Sequence, residues 1–287
     1  MKKTANGVSE TKFLESEGWE LEYKVPGWIV IAKRAMKNAA SIGLILGIWF
    51  LVSIWVEASR EIDFPTPVET FLRLFDLMKG EKLYDYTLYD HYLISLKRWG
   101  IAFGFAAVVG IGAGAYLGVS KAAKEIIMPA VYFLQLIPGL AWIPIALLLF
   151  GIGNTATIFM IFVTALPPII INVDGGICGV PSIYIKASKM MGASRYRVFS
   201  QVMIPSALIS IINGLRIGLA NGWRVVIAAE MVVGLGVGLG YSIIQSRWSL
   251  DFESSFVCII LICFTGLFFE KVVFKVIEDK VAKHQGR

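Results

Sequence analysis

Four residues in an apolar stretch near residue 220 have side chains that could bind a solute. Arg216, Trp223 and Glu230 are spaced seven residues apart. At about 100° per residue this spacing places them on one face of a helix, with Arg224 beside that face. Arginine binds oxyanions through paired planar donors, so the four residues are predicted to line a pathway for a small anion.

The same charges also have a purely structural interpretation. A charge inside a membrane costs about 2.5–3.5 kcal/mol. Arg216 and Arg224 could offset this cost by pairing with backbone carbonyls, or with Glu230 of a neighbouring copy. A rise of about 1.5 Å per residue places Glu230 near the outer surface and the two arginines deeper. The sequence leaves both interpretations open.

No other residue set favours chemistry within this chain. Neither His91 nor His284 lies in an apolar stretch, and no carboxylate cluster or Ser/His pairing is evident. The three cysteines have no even pairing and no CxxC spacing. The glycine-rich run 234–240 lacks the Lys-Ser/Thr of a phosphate-binding loop; it is interpreted as a flexible outer gate, a partner contact or a plain turn. We therefore expect no catalytic residue, cofactor or metal in this chain.

Membrane helices must position these residues. Of the 287 residues, 56% are hydrophobic and 17% are charged, with a mean hydropathy of +0.69, whereas a soluble domain has about 25% charged residues. About 20 apolar residues cross a bilayer as a helix. Six such spans are predicted, at 39–57, 97–119, 126–150, 154–173, 206–233 and 254–273. The predicted fold class is an all-α membrane protein with six transmembrane helices.

The distribution of basic residues predicts the orientation. Eighteen Lys/Arg residues lie in both termini and the loops on their side, against five in the two opposite loops. Because basic flanking segments stay in the cytoplasm, both termini are predicted to be cytoplasmic in a multi-pass protein of the cell membrane. Lys97 and Arg98 run against this trend and are interpreted as snorkelling outward or lining an outer vestibule.

The segments outside the spans complete the predicted organisation. Residues 1–38 form a cytoplasmic tail whose stretch 28–37 suits an interfacial helix. The external segment 58–96 contains an amphipathic helix at 68–78. Residues 97–273 hold the remaining spans, and residues 274–287 form a cytoplasmic C-terminal tail.

Proline and glycine residues mark irregular or closely packed points in the spans. Prolines kink helices and are candidate gate elements, whereas glycines in the second span allow helices to approach closely. The prolines are Pro129, Pro138, Pro144, Pro167 and Pro168, and the glycines are Gly100, Gly104, Gly110, Gly114 and Gly118.

The cytoplasmic loop 179–205 has the pattern of two short helices joined at an angle. Pro181 can open a helix at 182–191, and Gly192 stops it. A second helix over 193–204 ends, or enters the membrane, at Pro205. Basic residues and apolar anchors are expected on this elbow, although an ordinary positive-inside loop has the same charge.

This loop resembles the EAA loop of the membrane permeases of ATP-binding-cassette importers. In that family Glu-Ala-Ala is followed, after any three residues, by Gly. After nine further residues comes Ile-x-Leu-Pro, where x is any residue. Lys186 stands here for Glu and Ser188 for the second Ala, whereas Ala187, Gly192 and Pro205 match. The resemblance assigns Lys186, Ala187, Ser188, Gly192, Ala193, Ser194, Arg195 and Pro205 to the coupling loop, and Tyr184 joins them as an apolar anchor of the elbow.

Further segments, over about residues 62 to 275, are similar to the nitrate/sulfonate/taurine/bicarbonate branch of these permeases. They are Ser95-Leu96-Lys97-Arg98, Pro138 through Phe150-Gly151-Ile152-Gly153, Gly192-Ala193-Ser194-Arg195, Gly214-Leu215-Arg216-Ile217 and Ala228-Ala229-Glu230-Met231.

The resemblance implies a type I importer permease fold. It implies a homodimer that works with two cytoplasmic ATPase subunits, which carry ATP and Mg²⁺, and with an external substrate-binding protein, without any nucleic acid. The expected function is import of a small anionic solute. A secondary transporter driven by an ion gradient through intramembrane acids, with Glu230 as its one candidate acid, remains the alternative, and a membrane enzyme is a third class.

Overall fold

The computed structural model describes residues 27–60, 63–234 and 236–284, and this part of the chain is almost wholly helical. Residues 1–26, most of the predicted N-terminal tail, lie outside the described residues. The chain divides into two compact units, Met1–Glu69 and Thr70–Arg287, and each is described by itself.

The first unit contains one long helix, α1, at Gly27–Arg60. Its segment Ala39–Arg60 is long and apolar enough to cross a membrane. The predicted interfacial helix at 28–37 runs into this span without a break. Beyond α1, the Pro65 carbonyl accepts hydrogen bonds from Trp49 Nε1 (3.0 Å) and Ser53 Oγ (3.1 Å), so the chain folds back along the end of the helix.

The predicted external segment 58–96 contains the expected helix and, in addition, a short hairpin and the start of the next long helix. Helix α2 occupies Pro67–Met78, and a two-stranded antiparallel hairpin follows, β1 at Lys82–Leu83 and β2 at Tyr86–Thr87. Thr87 and Asp90 form a capping box at the start of the next helix, α3, which covers Leu88–Val119. This cap lets α3 begin well before the predicted span boundary at residue 97.

The third predicted span, 126–150, is not one straight helix. Helix α4 covers Lys121–Leu136, a 3-10 turn covers Gly139–Trp142, and α5 covers Ile143–Phe150. The two arms meet at an angle of 104°. Pro138 lies at the break, where its ring removes a backbone donor and the glycine after it adds freedom.

Three helices form the packed centre of the second unit: α3, α6 at Asn154–Cys178 and α9 at Ile204–Val233. Their contact buries a cluster that includes Trp99, Met160 and Val226. Pro167 and Pro168 remain inside α6 and are buried there. The fifth and sixth predicted spans correspond to α9 and to the last part of the chain.

The last part of the chain is a short helix followed by a long one. Helix α10 covers Leu239–Ser249 and α11 covers Phe252–Phe268. A π-helical stretch, Phe269–Phe274, joins α11 to α12 at Lys275–His284. Among the described residues, five helices are long and apolar enough to span a membrane, or six if the bent pair α4–α5 counts as one span. This confirms the predicted all-α membrane fold.

Candidate functional site

The loop 179–205 forms a helical elbow. Helix α7 covers Ser182–Met190, and Gly192 ends it with a φ of 81°, a left-handed conformation that glycine adopts without strain. The N–H groups of Gly192 and Ala193 donate to the carbonyls of Lys189 and Ser188 (3.0 Å each). These bonds cap α7 and fix the direction in which the chain leaves it.

The second arm of the elbow continues into the membrane helix. Ser194 caps helix α8, at Arg195–Val198, by accepting the Arg197 N–H (3.3 Å). A π-helical stretch at Phe199–Met203 then joins α8 to α9, so Arg195–Val233 is one continuous helix. Pro205 does not end a helix here, because it directly follows the π-helical stretch, whose altered backbone hydrogen bonding accommodates the missing N–H. Helices α8 and α9 are therefore parts of one rod.

The surface of the elbow combines apolar anchors with basic residues. Five large apolar side chains are exposed: Ile183, Tyr184, Met190, Met191 and Tyr196. Lys186, Lys189, Arg195 and Arg197 are exposed beside them, while Ala187 and Ser188 are half-buried. Met190 and Met191 are 84% and 87% exposed, which is unusual for side chains of this kind. An exposed apolar patch with a charged rim is typical of a protein contact surface.

A cavity of about 250 Å³ lies beside α9 and includes three of the four predicted pathway residues. Arg216, Trp223 and Arg224 line it together with Trp99, across from α11. Trp223 donates to the Ile262 carbonyl (3.0 Å) and lies edge-on to Trp99. The cavity wall is therefore mostly aromatic and aliphatic, and three charged residues also line it: Arg216, Arg224 and Glu270.

The two arginines of this cavity differ in their partners. Arg216 forms a half-buried ion pair with Glu278 of α12 (2.7 Å). Arg224 is exposed, and within the described part of the chain it has no ion-pair partner. Arg224 is therefore the cation with the greater freedom to meet a solute.

Glu230, the fourth predicted residue, lies outside this cavity in a buried ion pair. Its Oε1 accepts from Arg98 of α3 (2.8 Å), and Ser95 Oγ donates to Oε2 (2.8 Å). Glu230 is 1% exposed and Arg98 is 4% exposed. The sequence identified both charges but did not pair them, because they are 132 positions apart. The only available signal was the presence of opposite charges near the ends of two spans.

The same pair holds the glycine-rich turn before α10. Gly240 N–H donates to Glu230 Oε2 (3.1 Å), and Arg98 donates to the Val237 carbonyl (2.7 Å) and to Asn154 Oδ1 (2.7 Å). A Cβ at Gly238 would collide with the Glu230 carboxylate, and one at Gly240 with the Ile227 carbonyl. The glycines thus permit close packing of the backbone on a buried charge.

His91 and Ser95 of α3 bind the same turn. Gly238 N–H donates to His91 Nδ1 (3.0 Å), so His91 Nε2 carries the proton and donates to the Leu83 carbonyl (3.0 Å). Leu239 N–H donates to Ser95 Oγ (2.9 Å). Four side chains from α3 and α9 are hydrogen-bonded to this turn, so it is anchored. The interpretation of the run as a flexible gate is not supported at residues 237–240.

These observations define a class of protein. The described chain is a bundle of membrane helices in which one continuous rod joins an exposed elbow to the bundle. A mostly apolar cavity beside this rod is lined by two arginines and one glutamate. The described residues include no cluster of metal-binding side chains. This is the architecture of a membrane permease.

The chain belongs to the family of binding-protein-dependent transport system inner membrane components, whose model matches residues 106–283, more than half of the chain. It is the permease subunit of an ATP-driven importer, a transport component rather than an enzyme. The family favours this function over the gradient-driven transporter that the sequence left as an alternative.

Relatives of known name are similar over most of the chain. The nitrate import permease protein NrtB of Synechocystis sp. is 30% identical, over 87% of this chain and 90% of the relative. The taurine transport system permease protein TauC of Escherichia coli is 29% identical, over 74% of this chain and 77% of the relative. Among solved structures, the inward-facing MetNI methionine ABC transporter matches with a TM-score of 0.56 and 23% identity, over 65% of this chain and 92% of that chain. This match supports the type I importer fold.

Proposed function

We propose that this chain works as a homodimer with two cytoplasmic ATPase subunits and an external binding protein, and that its elbow is the coupling element. The observation that carries the proposal is the exposure of Met190 and Met191 on an elbow whose second arm is continuous with α9. Movement of a soluble ATPase, which binds ATP and Mg²⁺, can reach the spans only through a rigid element docked on it. Apolar anchors with a basic rim suit such a contact.

The proposed docking surface uses the residues that the sequence assigned to it. Tyr184 and the methionines would insert into a cleft on the ATPase, while Lys186 would contact its rim and Arg195 would begin the second arm of the elbow. Gly192, Ala193 and Ser194 would keep the angle of the elbow through their capping bonds. Ala187 and Ser188 would pack α7 against the second arm, and Pro205 would start α9 at the membrane surface.

The proposed orientation follows from the basic residues and the site. The cytoplasmic side would hold residues 1–38, the elbow and residues 274–287. The outer side would hold residues 58–96, which include α2. Span one would lie at 39–57 and the permease core at 97–273. The anchored turn at 236–240 would then lie on the outer side. The protein would be a multi-pass component of the cell membrane with both termini inside.

The proposed substrate is a small oxyanion or sulfonate. The named relatives import nitrate and taurine, and each of these solutes carries an anionic oxygen group. Arg224 and Arg216 offer planar donors at the edge of the cavity, and Trp223 supplies an apolar wall. Glu230 would act indirectly, since its charge is satisfied by Arg98 and it holds the outer turn. Selection among anions would belong mainly to the binding protein.

Transport by the reconstituted importer tests this proposal. Proteoliposomes would contain the chain, its partner ATPase and the matching binding protein. The measurement is ATP-dependent uptake of labelled nitrate, taurine and bicarbonate. We expect uptake of one of these solutes. Arg224→Gln should lower its rate about tenfold or more, as expected for loss of a charged contact to an oxyanion, while the ATPase remains bound.

A matched control distinguishes loss of Arg224 from the loss of a positive charge elsewhere on the protein. Lys275→Gln removes an exposed basic residue at the start of α12 and should leave uptake unchanged. Equal uptake by wild type and Arg224→Gln would contradict the pathway assignment. Uptake only of solutes that lack an anionic oxygen group would contradict the substrate class.

A further inference from the structure

A second cavity, of about 940 Å³, lies where the end of α3 meets the elbow. Gly112, Tyr116 and Val119 of α3 form one wall. Residues of the elbow and of the π-helical stretch form the other, among them Lys189 and Arg195. This cavity shares no lining residue with the cavity beside Trp223, so it is a separate site.

The two ends of this cavity differ in chemistry. Its α3 wall is made of glycine, alanine, valine and tyrosine, and Phe199 and Met203 extend the apolar surface. Its elbow end carries two cations, Lys189 and Arg195, and no acidic residue lines the cavity. Neither cation forms an ion pair with any described residue. The cavity therefore suits a ligand with an anionic end and a long apolar part.

The apolar wall belongs to a membrane span and is open. Tyr116 is 59% exposed and Val119 is 52% exposed, and α3 is long and apolar enough to cross the bilayer. A Cβ added at Gly112 would meet no atom within 4 Å, so there is free space beside the helix. The wall thus faces the region that acyl chains occupy, while the basic end lies at the last turn of the span.

We propose that this cavity binds an anionic phospholipid of the cytoplasmic leaflet. The headgroup phosphate binds Lys189 and Arg195, and an acyl chain lies along Gly112 and Tyr116. Basic pockets between membrane helices at the cytoplasmic surface are suited to such headgroups, and arginine binds phosphate through paired donors. A free phosphate ion would leave the apolar wall empty, which is why a lipid fits the cavity better.

The bound lipid connects the elbow to the bundle. Its headgroup contacts α7 and the start of α8, and its chain contacts α3, so it stabilises one position of the elbow relative to the spans. The location of the lipid in the cytoplasmic leaflet rests on the orientation in the proposed function. Binding of the headgroup and chain to the named residues does not depend on which solute is transported.

Lipid binding to the purified chain with its ATPase tests the proposal. The complex would be delipidated in detergent and titrated with phosphatidylglycerol, phosphatidylcholine or inorganic phosphate, and bound lipid would be counted by native mass spectrometry. We expect retention of phosphatidylglycerol. Lys189→Gln with Arg195→Gln should weaken its binding about tenfold or more, because each basic residue at a membrane surface contributes to attraction of anionic lipid.

Two further variants make the test specific. Lys186→Gln with Arg197→Gln removes the same charge from the same two helices, at exposed positions that do not line the cavity, and should leave lipid binding unchanged. Gly112→Leu fills the free space beside α3 without changing any charge, and should weaken phosphatidylglycerol binding as well. Gln is tolerated at exposed helix positions, so the charge variants remain folded.

Several results would overturn the proposal. Equal binding of phosphatidylglycerol and phosphatidylcholine would show that the cavity does not select an anionic headgroup. An equal loss of binding in the two double Gln variants would show that the effect comes from the overall charge of the elbow and not from Lys189 and Arg195. Displacement of the lipid by millimolar phosphate would indicate a free-anion site. The same spectra also show how many ATPase subunits remain bound. A chain that binds lipid but no ATPase would contradict the coupling function and leave the lipid proposal standing.

Discussion

At the scale of single residues, buried charges determine the structure near one end of the central helices. Glu230 and Arg98 are almost fully buried, and each also bonds a backbone group of the turn before α10. Removing one partner of such a pair leaves the other charge buried without compensation, and this costs more than the pair contributes. The pair is therefore a sensitive point for stability.

We expect Glu230→Gln to destabilise the protein by about 3–5 kcal/mol, because the guanidinium of Arg98 loses its counter-charge in a water-excluded site. The measurement is the thermal unfolding midpoint of the purified chain in detergent, followed by tryptophan fluorescence. Glu125→Gln, at an exposed position of α4, is the control and should shift the midpoint little. Replacing both Arg98 and Glu230 by Leu should recover part of the loss. Equal midpoints for Glu230→Gln and the control would contradict the structural role.

At the scale of the elements, glycines set the distances between helices. Gly110, Gly114 and Gly118 of α3 lie against α6, where an added Cβ would come within 3 Å of Ile169, Val173 and Ile177, respectively. Gly100 and Gly104 of the same helix face open space. The sequence predicted a packing role for all five, but it could not show which of them face α6.

This difference predicts opposite effects for two similar substitutions. Gly114→Ala should destabilise the protein by about 1–3 kcal/mol through overpacking, since its Cβ would lie 2.7 Å from Val173 Cβ and 2.8 Å from the Ile170 carbonyl oxygen. Gly104→Ala should be neutral or stabilising by up to about 1 kcal/mol, as alanine favours the helix. Chemical denaturation of both variants measures the difference, and a similar loss in both would show that α3 does not pack on α6 through Gly114.

Proline positions show what the sequence could and could not predict at this scale. Composition and apolar length predicted the spans, and Pro138 and Pro167 were both predicted to kink helices. In the structure the helix breaks by 104° near Pro138, whereas Pro167 remains within α6. A proline in a membrane helix can be accommodated when neighbouring helices support it, so the result depends on packing that a single sequence does not contain. The partner of Glu230 was missed for the same reason.

The elbow was more predictable because its determinants are local. Gly192 requires a positive φ, Ser194 is a strong N-cap, and both act within a few residues. Of the two outcomes predicted at Pro205, the structure has the second, because the helix runs through Pro205 into α9. Proline in the first turn of a helix is compatible with continuation of the rod when the preceding turn is π-helical.

At the scale of the whole molecule, the proposed orientation predicts which residues are accessible from each side of the membrane. In a background with Cys178, Cys258 and Cys263 replaced by Ala, a membrane-impermeant maleimide should label Lys82→Cys in intact cells. Lys186→Cys should be labelled only after the membrane is permeabilised. Both positions are exposed, so access of the reagent depends on the side of the membrane. Labelling of Lys186→Cys in intact cells would reverse the orientation.

The whole molecule is expected to act as one part of a larger transporter. Chemical cross-linking of the purified chain should give a species with two copies, and the complex with its ATPase should contain two copies of each subunit when its mass is measured by light scattering. A complex with a single permease copy would contradict the homodimer.

The most direct measurement is co-purification of the tagged chain with its partner ATPase. Gly192→Pro should release the ATPase, because proline holds φ near −65° and Gly192 has a φ of 81°. Gly80→Pro is the matched control, since Gly80 also has a positive φ (102°) but lies between α2 and β1. Lys186→Glu, which restores the acidic residue of the family, should retain the ATPase. We predict that the ATPase co-purifies with wild type, Gly80→Pro and Lys186→Glu, and that it does not co-purify with Gly192→Pro. Retention of the ATPase by Gly192→Pro would contradict coupling through the elbow, and so would the absence of ATPase from all four proteins.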